Sequence, residues 1–357
     1  MKKRSYSLDL LKFIACIGLL WFRYRKYTCP DGIYFGTVLI REDEWGLDLR
    51  FLVEIFFVLS GFFMFPYIEK IKYGISLEQF MIKRIIRIIP MLCISTILLE
   101  IMFIIMMRSG NTHGLDIYQP ALFGIISACF GVEYGWGLVD AHINPESWYL
   151  DILLLCYLIF IIIIKLSKKT KIREKYFFIL MIGIGAFCTL QEYSIPYLEA
   201  YNGRGYVAFF MGVLLASYLN RTELNYRHVT ASFICLAIYG IYHVFGSHYL
   251  EYGKSFLIAL FVAPALVVLL KTGIAEKIFA WKGWGELGKM SFSMYLIHVV
   301  VIIAIFNITD ALGISIDYAH DVMLLAYIIL VIFLGALTYY CVEKPITACL
   351  IKKSEKI

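Results

Sequence analysis

Apolar runs of membrane length recur from one end of the chain to the other, each ended by a short polar or charged stretch. Runs of about 18 or more mostly apolar residues form helices that span a bilayer, because in lipid each backbone N–H and C=O must be bonded within its own segment. The pattern predicts about ten spans, centred near Ala15, Phe57, Thr96, Tyr157, Ile184, Met211, Leu236, Leu260, Leu296 and Ile332. The shorter run Leu122 to Phe130 fits a re-entrant or interfacial segment better than a span. No intervening stretch is long enough for a sizeable soluble domain. The expected fold is therefore all-α, a polytopic transmembrane helical bundle over residues 1–346 with a cytoplasmic tail over 347–357. Met1 to Trp21 imitates a secretory signal, but charges interrupt its apolar run and no small-x-small cleavage site follows, so it reads as a retained first span.

Charge orients the bundle. With the N-terminus inside, the basic clusters Lys70 to Arg87, Lys165 to Lys175, Arg221 with Arg227, Lys271 to Lys289 and Lys344 to Lys356 all fall on the cytoplasmic side. Both termini are then cytoplasmic and the number of spans is even. The opposite loops are acidic, with Glu42, Asp43, Glu44, Asp48, Asp116, Glu133, Asp140, Asp310, Asp317 and Asp321. The formal charge of +6 thus reflects topology and does not call for a nucleic-acid partner. Composition agrees: 61% hydrophobic residues, 17% charged and a mean hydropathy of +0.77 exclude an ordinary soluble domain. The nine cysteines form neither a CxxC pair nor a Cys/His cluster, so no metal site is expected, and most read as small buried residues. Cys29 and Cys129 both fall in outer segments, where a disulfide between them is open. No internal repeat supports an inverted-repeat transporter.

Charges inside the apolar runs mark candidate chemistry, since each is costly there unless paired or hydrated. The first run carries Asp9, Lys12 and Arg23, and the second carries Glu54 with Ser60 and Gly61. Gly61 suits close helix approach, and Ser60 suits a bond between helices. Glu54 calls for a cation, with Lys12 or Arg23 as partner, and reads equally as a structural ion pair or a substrate contact. Arg84 and Arg87 are neighbours on one helix face, with Lys83 one turn from Arg87, just before Pro90, which is expected to disrupt the helix there. This basic fork at the cytoplasmic mouth fits either the phosphates of a nucleotide-bearing donor such as coenzyme A or an interfacial anchor. Trp148 and Tyr149 form an aromatic belt above Asp151, itself either a hydrated charge or a cavity residue. Arg204 either meets an anionic acceptor or snorkels, beside Gly205 and Gly212 at packing positions. His298 lies near mid-depth on one side with Ser291 and Tyr295, as a hydrogen-bonded structural imidazole or a base. Glu343, Lys344 and Pro345 read as a helix stop.

In this order the patches resemble the acyltransferase 3 family of integral-membrane acyltransferases. The resemblance rests on LDLLKFIAC, VEIFFVLSGF, the RIIR pair before proline, SWYLDILLLCYL, SFSMYLIH and the closing VEKP, and it extends over nearly the whole chain. It implies a multi-pass protein of the bacterial plasma (inner) membrane. Such a protein takes an acyl group, commonly acetyl, from cytoplasmic acyl-CoA and delivers it to a hydroxyl of an envelope glycan or other small acceptor outside. Arg84 and Arg87 fall on the family's functional Arg pair and so become the expected donor site. Two positions depart from the family pattern. Lys12 stands for a usual Arg, and Arg23 for a usual first-span His. An arginine stays protonated and cannot accept a hydroxyl proton, so the usual mechanism does not carry over whole.

The expected partners are therefore the lipid bilayer, acyl-CoA and the acceptor. His298, with Glu54 and Asp151 behind it, is the candidate base, and Lys12 or Arg23 the positive group for the oxyanion. Trp148, Asp151 and Arg204 are candidate acceptor contacts. A second reading follows from Arg23: a family member that no longer acylates and acts instead in export or presentation of a cell-surface polysaccharide.

Overall fold

The computed structural model describes residues 4–28, 49–113, 115, 122–136, 144–191, 195–245 and 253–354. Among them the chain is all helical, with no strand. In chain order the helices are α1 (Tyr6–Thr28), α2 (Val53–Met64), α3 (Tyr67–Lys72), α4 (Leu77–Ser109), α5 (Leu122–Phe130), α6 (Ser147–Thr170) and α7 (Glu174–Gln191). There follow α8 (Ala200–Leu219), α9 (Tyr226–Phe245), α10 (Gly253–Leu270), α11 (Gly273–Ile278), α12 (Lys282–Leu312) and α13 (Asp321–Ser354).

Six of these helices, α4, α6, α7, α10, α12 and α13, are long and apolar enough to cross a membrane. Each of the ten expected centres lies within a helix, although α2 has only 12 residues and α1 carries Asp9, Lys12, Arg23, Arg25 and Lys26. The run Leu122 to Phe130 forms a nine-residue helix that is too short to span.

Local sequence accounts for the helix limits. α4 begins at a capping box, in which Ser76 accepts from the Gln79 amide and Gln79 accepts from the Ser76 amide, and it ends at Gly110 in the left-handed conformation. Pro90 does not interrupt it, contrary to the sequence expectation. One lost backbone bond is tolerated within a helix of 33 residues whose faces pack on neighbours. Nor does Glu343-Lys344-Pro345 stop α13. A π-turn at Tyr339–Glu343 sets the backbone ahead of Pro345 and the helix runs on to Ser354, while Glu343 turns inward to accept from Ser293 Oγ at 2.5 Å.

Packing sorts the helices into a bundle. α1 and α12 run parallel, joined by Arg4 to the Gly285 carbonyl (2.7 Å), Cys16 to the Ser291 carbonyl (3.5 Å), and Tyr24 to the Tyr318 carbonyl (2.9 Å) beyond the end of α12. α2 and α8 touch backbone to backbone: a Cβ on Gly61 would strike the Phe209 carbonyl, and one on Gly212 the Val58 carbonyl. Cys129 is a buried thiol against the Cys93 carbonyl, and its proposed partner Cys29 lies outside the described residues.

Candidate functional site

A cavity of about 1380 Å³ opens among α1, α2, α4, α6 and α12, at the end of the bundle where their basic residues gather. It is larger than the usual site for a small ligand. Arg4, Lys12, Lys83, Arg84 and Arg87 line it toward the mouth, and Ser60, Tyr149 and Tyr295 line it farther in. Helical spacing brings Lys83, Arg84 and Arg87 to the same cavity, but the two arginines stand differently. Arg84 is buried, its guanidinium 3.9 Å from the Phe80 ring centre and 4.3 Å from that of Tyr67, and it donates to the Phe80 carbonyl at 3.0 Å. Arg87 is exposed to the cavity and, among the described residues, forms no ion pair. Lys12 is 3.4 Å from Asp9 and 4.5 Å from the Phe63 ring centre, on the wall opposite. Asp9 is shared with Arg4 at 2.5 Å, so this side of the mouth has two cations on one carboxylate.

The inner end of the cavity is aromatic. Tyr149 and Tyr295 meet edge to face at 5.7 Å, and Ser60 Oγ lies 3.3 Å from the Tyr149 hydroxyl. Tyr295 is also a partition. Behind its ring lies His298, 5.8 Å away centre to centre, wholly buried and not part of the cavity lining. The ring nitrogen Nδ1 of His298 donates to the Tyr295 carbonyl at 2.6 Å. Arg23 joins this inner group. Its Nε lies 2.6 Å from Glu146 Oε1, and an Nη donates to the Pro145 carbonyl at 3.3 Å. Glu146 Oε2 in turn faces His298 Nε2 at 3.9 Å.

The structure thus separates two residues that the sequence grouped. Lys12 faces the cavity, while Arg23, about 16 Å farther along α1 at 1.5 Å per residue, faces Glu146. Glu146 escapes sequence reasoning because, as the first residue of the fourth predicted span, it reads as a charge at the span's boundary. The only hint is an acidic residue beside Ser147 and Trp148.

Glu54, Arg204, Trp148 and Asp151 form other assemblies. The partner of Glu54 is neither Lys12 nor Arg23 but Arg204, at 2.7 Å, with Ser255 donating to the same carboxylate oxygen at 2.6 Å. The crossing of α2 and α8 decides this, since the two glycines let their backbones touch and set the two charges side by side. Arg204 does not snorkel. It is buried, 4.6 Å from the Trp148 ring centre and 5.0 Å from that of Phe51. Asp151 is buried and accepts from the Tyr134 amide at 2.9 Å and from Ser147 Oγ at 3.3 Å, fastening the turn at 131–136 to α6. None of these four lines the large cavity.

A comparison with curated proteins and one with solved structures each return no match. A comparison with protein-family models matches residues 5–342 to the acyltransferase 3 model, described as an acyltransferase domain. That match runs from the mouth of the cavity to the π-turn of α13 and takes in both the basic wall and the Arg23–Glu146–His298 group. The chain belongs to the acyltransferase 3 family.

Proposed function

We propose that this protein moves an acyl group, acetyl in the simplest case, from cytoplasmic acyl-CoA to a hydroxyl of an envelope glycan or similar small acceptor across the plasma membrane. The observation that carries this reading is a cavity in which an exposed Arg87 and a buried Arg84 stand at a cationic mouth and an aromatic end lies within. Guanidinium groups bind phosphate oxygens bidentately, and Arg keeps its charge when partly buried. The coenzyme's phosphates would dock at the mouth, with the thioester reaching inward toward Tyr149 and Tyr295. Lys12 is the cation on the cavity wall suited to the oxyanion that develops on the thioester carbonyl, because Arg23 is already neutralised by Glu146. His298 is the base this reading assigns: it lies behind the Tyr295 ring at the inner end of the cavity and its Nε2 has no hydrogen-bond partner among the described residues, whereas Glu54 and Asp151 are each held in polar contacts. The basic mouth would face the cytoplasm, as the positive-inside rule requires.

The test is transfer from radiolabelled acetyl-CoA by the purified protein in lipid nanodiscs. Arg87→Ala is expected to raise KM for acetyl-CoA by about tenfold or more with a smaller change in kcat. Transfer that is indifferent to both Arg87→Ala and Arg84→Ala would remove the donor site. The permanent cation at Arg23 favours the second reading, in polysaccharide export. Envelope glycan from a deletion strain separates the two: it lacks an acyl group under the first and is missing from the surface under the second.

A further inference from the structure

The group behind Tyr295 has a built geometry. Three helices pin the loop Asn144 to Glu146: Asn144 donates to Thr96 of α4 at 2.9 Å, Arg23 of α1 donates to the Pro145 carbonyl, and the Tyr295 hydroxyl of α12 donates to the Glu146 carbonyl at 2.9 Å. The Glu146 side chain is buried, with Arg23 Nε 2.6 Å from Oε1 as an ion pair and Oε2 facing His298. The tautomer of His298 follows from its neighbour. A carbonyl oxygen only accepts, so Nδ1 carries the hydrogen and the neutral ring presents the lone pair of Nε2. Among the described residues that nitrogen is buried without a hydrogen-bond partner, 3.9 Å from Glu146 Oε2. The gap is too long for a direct hydrogen bond. It suits an acceptor hydroxyl that donates its one hydrogen to Nε2, after which the carboxylate faces the charge left on the ring.

Resting on the acyl-transfer reading above, we propose that Glu146 is the positioning residue through which His298 works, and that Arg23 is the anchor of Glu146. In the transfer step the acceptor O–H bond breaks as its proton passes to His298 Nε2, and the oxygen forms a bond to the thioester carbonyl carbon. Collapse of the tetrahedral centre breaks the C–S bond, and the departing thiolate takes the proton back from the imidazolium, giving ester and free thiol. Between those events the imidazolium stands beside the Glu146 carboxylate, which offsets its charge in a buried setting. Arg23 thereby fills the place of a base with a group that steadies another base.

The competing role for Glu146 is only to cancel the charge of Arg23, and the test separates the two. The protein in nanodiscs is given radiolabelled acetyl-CoA with methyl α-glucoside as the hydroxyl probe, and kcat, KM and acetyl-CoA binding are measured. Glu146→Gln is expected to lower kcat by about 10²-fold, at the lower end of general-base contributions, with KM for acetyl-CoA within about twofold. The double variant Arg23→Gln with Glu146→Gln leaves no lone buried charge and carries the test if the single variant fails to fold. It is expected to remain equally slow. In a His298→Gln background, Glu146→Gln is expected to cost nothing further, because the two act as one unit. Wild-type kcat in the double variant, or an equal loss from Glu146→Gln with and without His298, overturns the assignment while leaving the donor site intact. A wild-type protein that neither binds nor turns over acetyl-CoA overturns the reading of the cavity, and the role of Glu146 with it.

Discussion

Arg84 and Arg87 lie one turn apart on α4, yet their surroundings assign them different work. The Arg84 guanidinium is held against two aromatic rings and a backbone carbonyl, and buried cation–π contacts contribute about 0.5–2 kcal/mol each. Arg84→Ala is therefore expected to lower the thermal unfolding temperature as well as weaken acyl-CoA binding. Arg87→Ala should weaken binding with little change in that temperature, because among the described residues Arg87 has no comparable ring contact or ion pair. Measuring unfolding temperature and KM on both variants checks the division; equal effects on both quantities would reject it. The Glu54–Arg204 pair offers a second test at this scale. Glu54→Gln leaves a buried guanidinium without its counter-charge, which costs on the order of 3–5 kcal/mol, while Glu54→Gln with Arg204→Met should recover much of that loss. Folded yield in detergent and the unfolding midpoint report both outcomes.

Among the helices, the contact of α2 with α8 governs which polar groups become neighbours. Gly61 and Gly212 each lie against the other helix's carbonyl oxygens, so the helices have no room for a side chain between them. Gly61→Val is expected to push α8 away, break the Glu54–Arg204 contact and destabilise the protein by several kcal/mol, outweighing a helix-propensity difference of about half a kcal/mol that favours Val. A variant as stable as the wild type would show that the bundle yields at this crossing. The π-turn of α13 has a similar ordering effect. It lets the chain pass Pro345 and brings Glu343 onto Ser293 of α12, close to the wall that holds Ser291 and Tyr295.

At the scale of the whole molecule, the cavity mouth, the start of α1 and the basic end of α13 lie on one side of the bundle, tied there by Arg4 to Gly285 and Tyr340 to Glu286. The positive-inside rule assigns that side to the cytoplasm. Cys349 is exposed near the end of α13 and tests the assignment. In a variant keeping only this cysteine, a membrane-impermeant maleimide is expected to label inside-out vesicles and to leave intact spheroplasts unlabelled until they are permeabilised. Labelling of intact spheroplasts would reverse the orientation and place the cationic mouth away from cytoplasmic acyl-CoA.

Hydropathy alone establishes that this chain is a helical bundle in a membrane, because burial of backbone polar groups in lipid leaves few other solutions for runs of this length. Spacing alone sets Arg84 and Arg87 near one another, since neighbours on a helix are local in sequence. The family-like order of LDLLKFIAC, SGF, RIIR and SFSMYLIH is likewise readable without coordinates. Which charges meet is not, because helical periodicity says how a residue faces its own axis and nothing of which helix lies opposite. Glu54 finds Arg204 across the chain, Lys12 and Arg23 part company along one helix, and Glu146, at the edge of a predicted span, comes between Arg23 and His298. These pairings depend on backbone approach and on the cost of a lone charge in a low-dielectric interior, and both are settled only when the helices pack.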